Sequence, residues 1–236
     1  MPILFNTEMV RAILDGRKTV TRRVIKPQPE PEQIYKIGFC IAGDKRNIGK
    51  YGFGTNEYGG RILFVKPPCK HGDILYVRET WTQEHSGYYY RADFDSDYLD
   101  PCETLSGGYP SECRYYPGCV GCARTSSRIH WRPSIHMPKE AARIWLKVTD
   151  VRVERLREIT EEQAKAEGIG EEWAMDWWSP TFNDPDSGGY PRYRDTFVHL
   201  WNYTIKKSDL DRYGWDANPY VWVVEFERCE KPSMRI

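Results

Sequence analysis

This chain has no uninterrupted apolar run near the roughly 20 residues that a membrane-spanning helix needs. Its opening, Met1-Pro2-Ile3-Leu4-Phe5, lacks both the basic start and the extended apolar stretch of a secretory signal. These two absences predict a cytoplasmic protein with no membrane partner. Net charge is missing as well, since 34 Lys and Arg balance 34 Asp and Glu. That balance argues against binding nucleic acid through bulk electropositivity. Cysteine is sparse and odd in number, seven in 236 residues. Such usage fits reduced thiols or a metal site better than a disulfide framework. No internal repeat and no clean linker interrupts the chain, which reads as one domain over residues 1–236.

Aromatic side chains are abundant, with nine Trp, sixteen Tyr and eight Phe. The charges, although balanced, are segregated. Residues 11–26 carry Arg11, Arg17, Lys18, Arg22, Arg23 and Lys26 against Asp15 alone. A second basic stretch covers 124–155, and the counterweight is the acidic segment 158–186. Segregation of this kind either builds a basic groove on a neutral protein or interleaves on the folded surface.

The hydrophobic pattern predicts a mainly β protein with peripheral helices, an α+β fold. Asn6 is a good N-cap for a short helix that buries Met9, Val10, Ile13 and Leu14. Phe5 and Val10 can staple its entry, and Gly16 suits a left-handed C-terminal cap. Strands are expected at 61–65, 74–81, 88–91 and 220–227. Another begins at Ile144 and changes phase near Asp150, as at a bulge or bend. Thr160-Glu161-Glu162-Gln163 is a capping box for a helix ending at Gly168, and a further helix covers about 192–203. Segments 27–60, 93–128 and 170–191 read as insertions, the first as an irregular stretch or long hairpin and the last as a loop.

The densest chemistry lies in Gly16-Arg17-Lys18-Thr19-Val20-Thr21-Arg22-Arg23, which packs four cations and two hydroxyls into eight residues. Burying these charges without partners would cost several kcal/mol each, so they either line a groove for an anion or meet solvent. The order Gly-x-Lys-x-x-Thr-x-Arg resembles the signature of the ASCH domains. Gly72-Asp73-Ile74-Leu75-Tyr76-Val77-Arg78-Glu79-Thr80-Trp81 resembles the second signature of that family. Trp131-Arg132-Pro133-Ser134-Ile135-His136-Met137-Pro138, and the ending from Trp215-Asp216 to Val224, resemble long members from bacteriophages and prophages.

The resemblance implies a PUA-like β-barrel with long insertions, associated with RNA and modified nucleosides. Some small ASCH proteins are amidohydrolases that deacetylate N4-acetylcytidine with a Lys, a Thr and a Glu. Carried over, that catalytic set is Lys18, Thr21 and Glu79. In such chemistry Thr21 serves as nucleophile or orients a water, and Lys18 serves as base or electrostatic stabiliser. Glu79 serves as base or holds Lys18. Arg22, Arg23, Arg78, Trp81, Trp131 and His136 are the matching substrate-binding candidates, with Tyr76 beside them. Guanidinium groups suit phosphate, and flat rings suit an unpaired base. No cofactor is required. The alternatives are a non-catalytic module that binds RNA or a modified base, and a ribonuclease. The ion-pair and core-packing roles that these residue types fill in any β-rich fold stay open beside all three.

Cys102, Cys113, Cys119 and Cys122 form a separate group, the last two at the x2 spacing of a zinc knuckle. Four thiolates would make a closed structural zinc site that staples a polar insertion. Cys69, next to His71, offers an alternative ligand pair.

Overall fold

The computed structural model describes residues 1–84, 87–94, 130–176 and 192–232. The first half of the chain contains β1 (Pro2–Leu4), α1 (Thr7–Leu14), β2 (Val20–Val24), β3 (Tyr35–Phe39), β4 (Tyr51–Gly54) and β5 (Leu63–Val65). It continues with β6 (Ile74–Arg78), β7 (Trp81–Glu84) and β8 (Gly87–Tyr90). The second half contains β9 (Trp145–Arg155), α2 (Glu161–Ala166), α3 (Glu171–Asp176), α4 (Tyr193–Thr204), α5 (Leu210–Tyr213) and β10 (Tyr220–Cys229). The fold is mainly β with short helices. Among the described residues its sheets are open, each with two edge strands, and no closed barrel forms. No described helix is long and apolar enough to cross a membrane.

The chain divides into two compact units. One holds Met1–Asp15, the described part of Leu75–Leu146, and the end of β10 from Arg228. The other holds Gly16–Ile74 and Lys147–Glu227.

In the first unit, α1 starts where its sequence directs. The Asn6 side chain accepts the Met9 N–H at 2.8 Å, satisfying one of the orphan donors of the first turn. Val10, Ala12 and Ile13 are buried, and Phe5 is buried beside them in sequence. Arg11 ties the helix to the turn at Arg91–Asp93, donating to the carbonyls of Ala92 at 2.9 Å and Phe94 at 2.5 Å. β1 runs parallel to β6, with Pro2 opposite Tyr76 and Leu4 opposite Arg78. The strand expected over 74–81 is in fact two. β6 pairs with β1, whereas β7 turns away to pair with β8, so the chain leaves the first ladder at Glu79 and Thr80.

In the second unit, β2 lies antiparallel to β10, with Arg22 opposite Val223 and Arg23 opposite Trp222. Residues directly opposite in such a ladder share a face, and neighbours along a strand alternate. Val20, Arg22, Val221 and Val223 therefore point one way, into a core with Ala164, Phe197 and Trp201 of the helices. Thr21, Arg23, Trp222 and Val224 point the other way. There Trp222 meets Phe39 and Tyr51, at ring separations of 6.3 and 6.2 Å. Those rings belong to a β3-β4-β5 meander, in which β3 and β4 form the hairpin that is one of the two readings of 27–60 and β5 is the strand expected at 61–65.

β9 keeps the phase change read from its sequence. Leu146 and Val148 are buried, then Val153, an odd interval that moves the inward register by one residue. The loop expected over 170–191 opens instead as α3, because Ala174 finds a place in the helical core. The rest of that loop and most of the 93–128 insertion lie outside the described residues.

Candidate functional site

The first basic motif is built into the second unit as an internal charge network. Backbone bridging places Lys18 antiparallel to Glu167, and the Thr19 N–H donates to the Ala166 carbonyl at 2.9 Å. The Lys18 residue is only 2 % exposed. Its ammonium donates to the carbonyls of Val20 at 2.9 Å and Glu167 at 2.8 Å, and to Glu167 Oε2 at 2.8 Å. Three acceptors thus occupy its three donors. Burial holds the ammonium below its ordinary pKa, and the Glu167 carboxylate works against that shift.

Arg22 points to the same carboxylate. Its guanidinium donates to Glu167 Oε1 at 3.2 Å, to Gln163 Oε1 at 2.9 Å and to Glu154 Oε2 at 3.1 Å. It also lies 5.9 Å from the centre of the Phe197 ring. Thr21, on the opposite face, is buried and accepts a hydrogen bond from Arg23 at 3.1 Å. The structure therefore groups Lys18 with Arg22 around Glu167, and groups Thr21 with Arg23. Glu167 escaped the sequence reading. Its signal was its place at the predicted end of the capped helix, inside the acidic segment that balances the basic motif.

The second and third motifs meet in the first unit. Trp81 and Arg132 exchange backbone hydrogen bonds of 3.2 and 2.7 Å. The Glu79 N–H, released from the β6 ladder, donates to Met137 Sδ at 3.2 Å. Arg78 donates to the Ile135 carbonyl at 3.2 Å. His136 is exposed in the turn Ser134–His136. Trp81 is 4 % exposed, enclosed by Tyr88 at 5.7 Å and the Arg132 guanidinium at 5.1 Å. Trp131 is half-buried, with Phe94 at 5.5 Å and Arg91 at 5.9 Å. Both indole N–H groups are buried with no acceptor among the described residues.

Glu79 is the most enclosed acid among the described residues of this unit, at 1 % exposure. Arg143 grips it with two parallel bonds of 3.0 Å, from Nε to Oε1 and from Nη2 to Oε2. Arg143 also donates to Asp93 at 2.8 Å and stacks 4.0 Å above the Tyr90 ring. The Tyr90 hydroxyl is fixed on the Ala141 carbonyl at 2.6 Å. Burial raises the Glu79 carboxyl above its ordinary pKa, and Arg143 opposes that shift. Arg143 is the second partner that sequence reasoning missed, because its only local signal is a cation one residue before an apolar strand.

Lys18, Thr21, Arg22 and Arg23 thus belong to the second unit, and Arg78, Glu79, Trp81, Trp131 and His136 to the first. Cys102, Cys113, Cys119 and Cys122, the expected zinc ligands, lie outside the described residues. Among the described residues no group of three or more His, Cys, Asp or Glu is placed to hold a metal. Cys69 is buried, which pushes its thiol up to about 11, and the neighbouring His71 ring nitrogen sits 2.7 Å from the Thr149 carbonyl. No protein-family model, curated protein or solved structure matches this chain.

Proposed function

We propose that this is an ASCH-type, PUA-like protein that binds RNA or a modified nucleoside and hydrolyses the amide of N4-acetylcytidine or a similar base. The observation that carries the reading is Glu79, a buried carboxyl raised above its ordinary range and aimed by a two-point clamp from Arg143. A general base needs that combination of fixed geometry and raised basicity. A carboxylate offers about four acceptor sites, and Arg143 fills two, which leaves room for a water proton. In the proposed step Glu79 takes a proton from water as the oxygen bonds to the acetyl carbon. The C–N bond then breaks, the proton passes to the departing amine nitrogen, and acetate and cytidine leave. Lys18 and Thr21 enter this reading through the family resemblance alone.

A second reading, recognition without turnover, is favoured by the complete hydrogen bonding of Lys18 and by the ion pair on Glu79. The open sheets support the β-rich side of a PUA-like architecture. The barrel itself is part of the proposal.

Incubation with N4-acetylcytidine, free and within an oligoribonucleotide, tests the assignment. Release of cytidine that disappears in Glu79→Gln is the expected result. Binding without release in the wild type identifies the module. RNA fragmentation lost in the same variant identifies the ribonuclease. Absence of all three overturns the assignment.

A further inference from the structure

We propose that Arg78, Arg132 and Lys139 form a phosphate-binding rail for single-stranded RNA in the first unit. The inference rests on the nucleic-acid part of the reading above and deepens it, making the ligand a polymer rather than a free nucleoside. Each of the three cations lies on an aromatic ring. Arg132 sits 5.1 Å from the Trp81 ring, Arg78 5.8 Å from Tyr76, and Lys139 5.8 Å from Trp145. The pieces are linked, because Tyr76 and Trp145 pack against each other at 5.7 Å. Arg78 also bonds to Ile135, within the same 131–138 motif that holds Arg132.

Charge makes the case sharper. In the second unit Lys18, Arg22 and Arg152 each meet at least one carboxylate at 3.2 Å or less. Arg143, in the first unit, meets two. Arg78, Arg132 and Lys139 meet none among the described residues. They are held in place by rings, which fix position without cancelling charge. Fixed, uncompensated cations suit an anion that arrives from outside, and a rigid guanidinium fork matches phosphate oxygens. A single-stranded polynucleotide is the occupant favoured over a lipid surface, because the 131–139 segment exposes two cations, Arg132 and Lys139, against one large apolar side chain, Ile135, and across the ladder Arg78 faces one more, Leu4. The guanidinium plane of Arg132, backed by Trp81, also offers an unpaired base a surface to stack on.

The test is a salt titration of binding of the full chain to a fluorescent oligouridylate. Three single-strand phosphate contacts predict a slope of about −2 in log K against log salt. Arg132→Gln and Lys139→Gln should each reduce that slope by roughly 0.7. Arg46→Gln, which removes an exposed cation already paired with Asp44, should leave it unchanged. Unchanged slopes in the two rail variants overturn the proposal. So does equal binding to vesicles of anionic phospholipid or to polyglutamate, or no binding of the oligomer at all. Deacetylation of the free nucleoside by wild-type protein separates the two claims. Turnover without oligomer binding removes the rail alone, and rail-dependent binding without turnover removes the hydrolase alone.

Discussion

Glu167 divides its carboxylate between two buried cations, accepting from Lys18 at 2.8 Å through Oε2 and from Arg22 at 3.2 Å through Oε1. The arrangement pins the end of α2 to the entry of β2. It also accounts for part of the acidic segment 158–186, which supplies internal counter-charge. Breaking a buried pair from one side leaves an uncompensated ion. Glu167→Gln is therefore expected to cost about 3–5 kcal/mol of stability. Lys18→Met should cost less, since Glu167 keeps Arg22. Urea unfolding midpoints measured side by side check that order, and a larger loss in Lys18→Met contradicts it.

The same pair makes an alkaline prediction. Burial lowers the Lys18 pKa from its ordinary 10.5. Between the lowered value and 10.5 the unfolded chain binds a proton that the folded chain has released. The contribution of this group to stability accordingly rises with pH across that window. Subtracting the stability of Lys18→Met from that of the wild type should give a curve that climbs on the alkaline side. A falling curve would mean that Glu167 outweighs burial.

α2 depends on a capping box whose Gln163 serves twice. Gln163 Oε1 accepts from the Thr160 N–H at 3.1 Å and from Arg22 at 2.9 Å. Loss of the cap in Thr160→Ala should cost about 1 kcal/mol. Gln163→Ala should cost more, because Arg22 loses a buried acceptor as well. Paired denaturation curves measure the difference, and equal costs would show that the Arg22 bond contributes nothing.

Local chemistry was legible in the sequence wherever one residue type decides the structure. The Asn6 cap, the Thr160 capping box, the left-handed Gly16 at φ 76° and the phase change in β9 all follow from short-range rules. Partnership across long separations was not legible. Lys18 and Glu167 are 149 positions apart, and Glu79 and Arg143 are 64 apart. Many acids and cations in the chain satisfy the same chemistry, and only the fold selects among them. The break between β6 and β7 was hidden for a similar reason. The polar Arg78-Glu79-Thr80 inside 74–81 sits at the break, but hydrophobic pattern alone does not say which residue leaves one ladder for another. The meander was masked by its own glycines, three of which lie in strands, Gly38 in β3 and Gly52 and Gly54 in β4.

Gly54 gives that last point a measurable form. A Cβ there would stand 2.5 Å from the Gly59 carbonyl oxygen and 2.9 Å from its Cα. Both contacts are backbone, so relief requires the 55–59 turn to move. That turn is itself closed by the Thr55 N–H on the Gly59 carbonyl at 3.0 Å. Gly54→Ala is expected to destabilise by about 1–3 kcal/mol, the usual range for overpacking. Gly43→Ala, with open space around its Cβ, loses only what its left-handed backbone at φ 97° demands. Hydrogen exchange of β3 and β4 amides should report the damage in the first variant and little in the second.

Glu79 supplies the acid-side counterpart to Lys18, with the opposite sign. Burial raises its carboxyl above the ordinary 4.5, against the pull of Arg143. Between 4.5 and the raised value the folded chain keeps a proton that the unfolded chain has released. Stability from this group is therefore fully present below 4.5 and is lost as pH rises through the folded value. Melting temperatures of wild type and Glu79→Gln, followed across that window, should show the wild-type advantage shrinking as pH rises. Two further variants fix the cause. Arg143→Gln removes the opposing cation and should move the window to higher pH. Asp93→Asn removes a neighbouring negative charge that also raises Glu79, and should move it lower. A wild-type advantage that grows with pH would show instead that the Arg143 clamp dominates burial. Glu79 would then be an ordinary ion-paired carboxylate with no special basicity to offer a substrate.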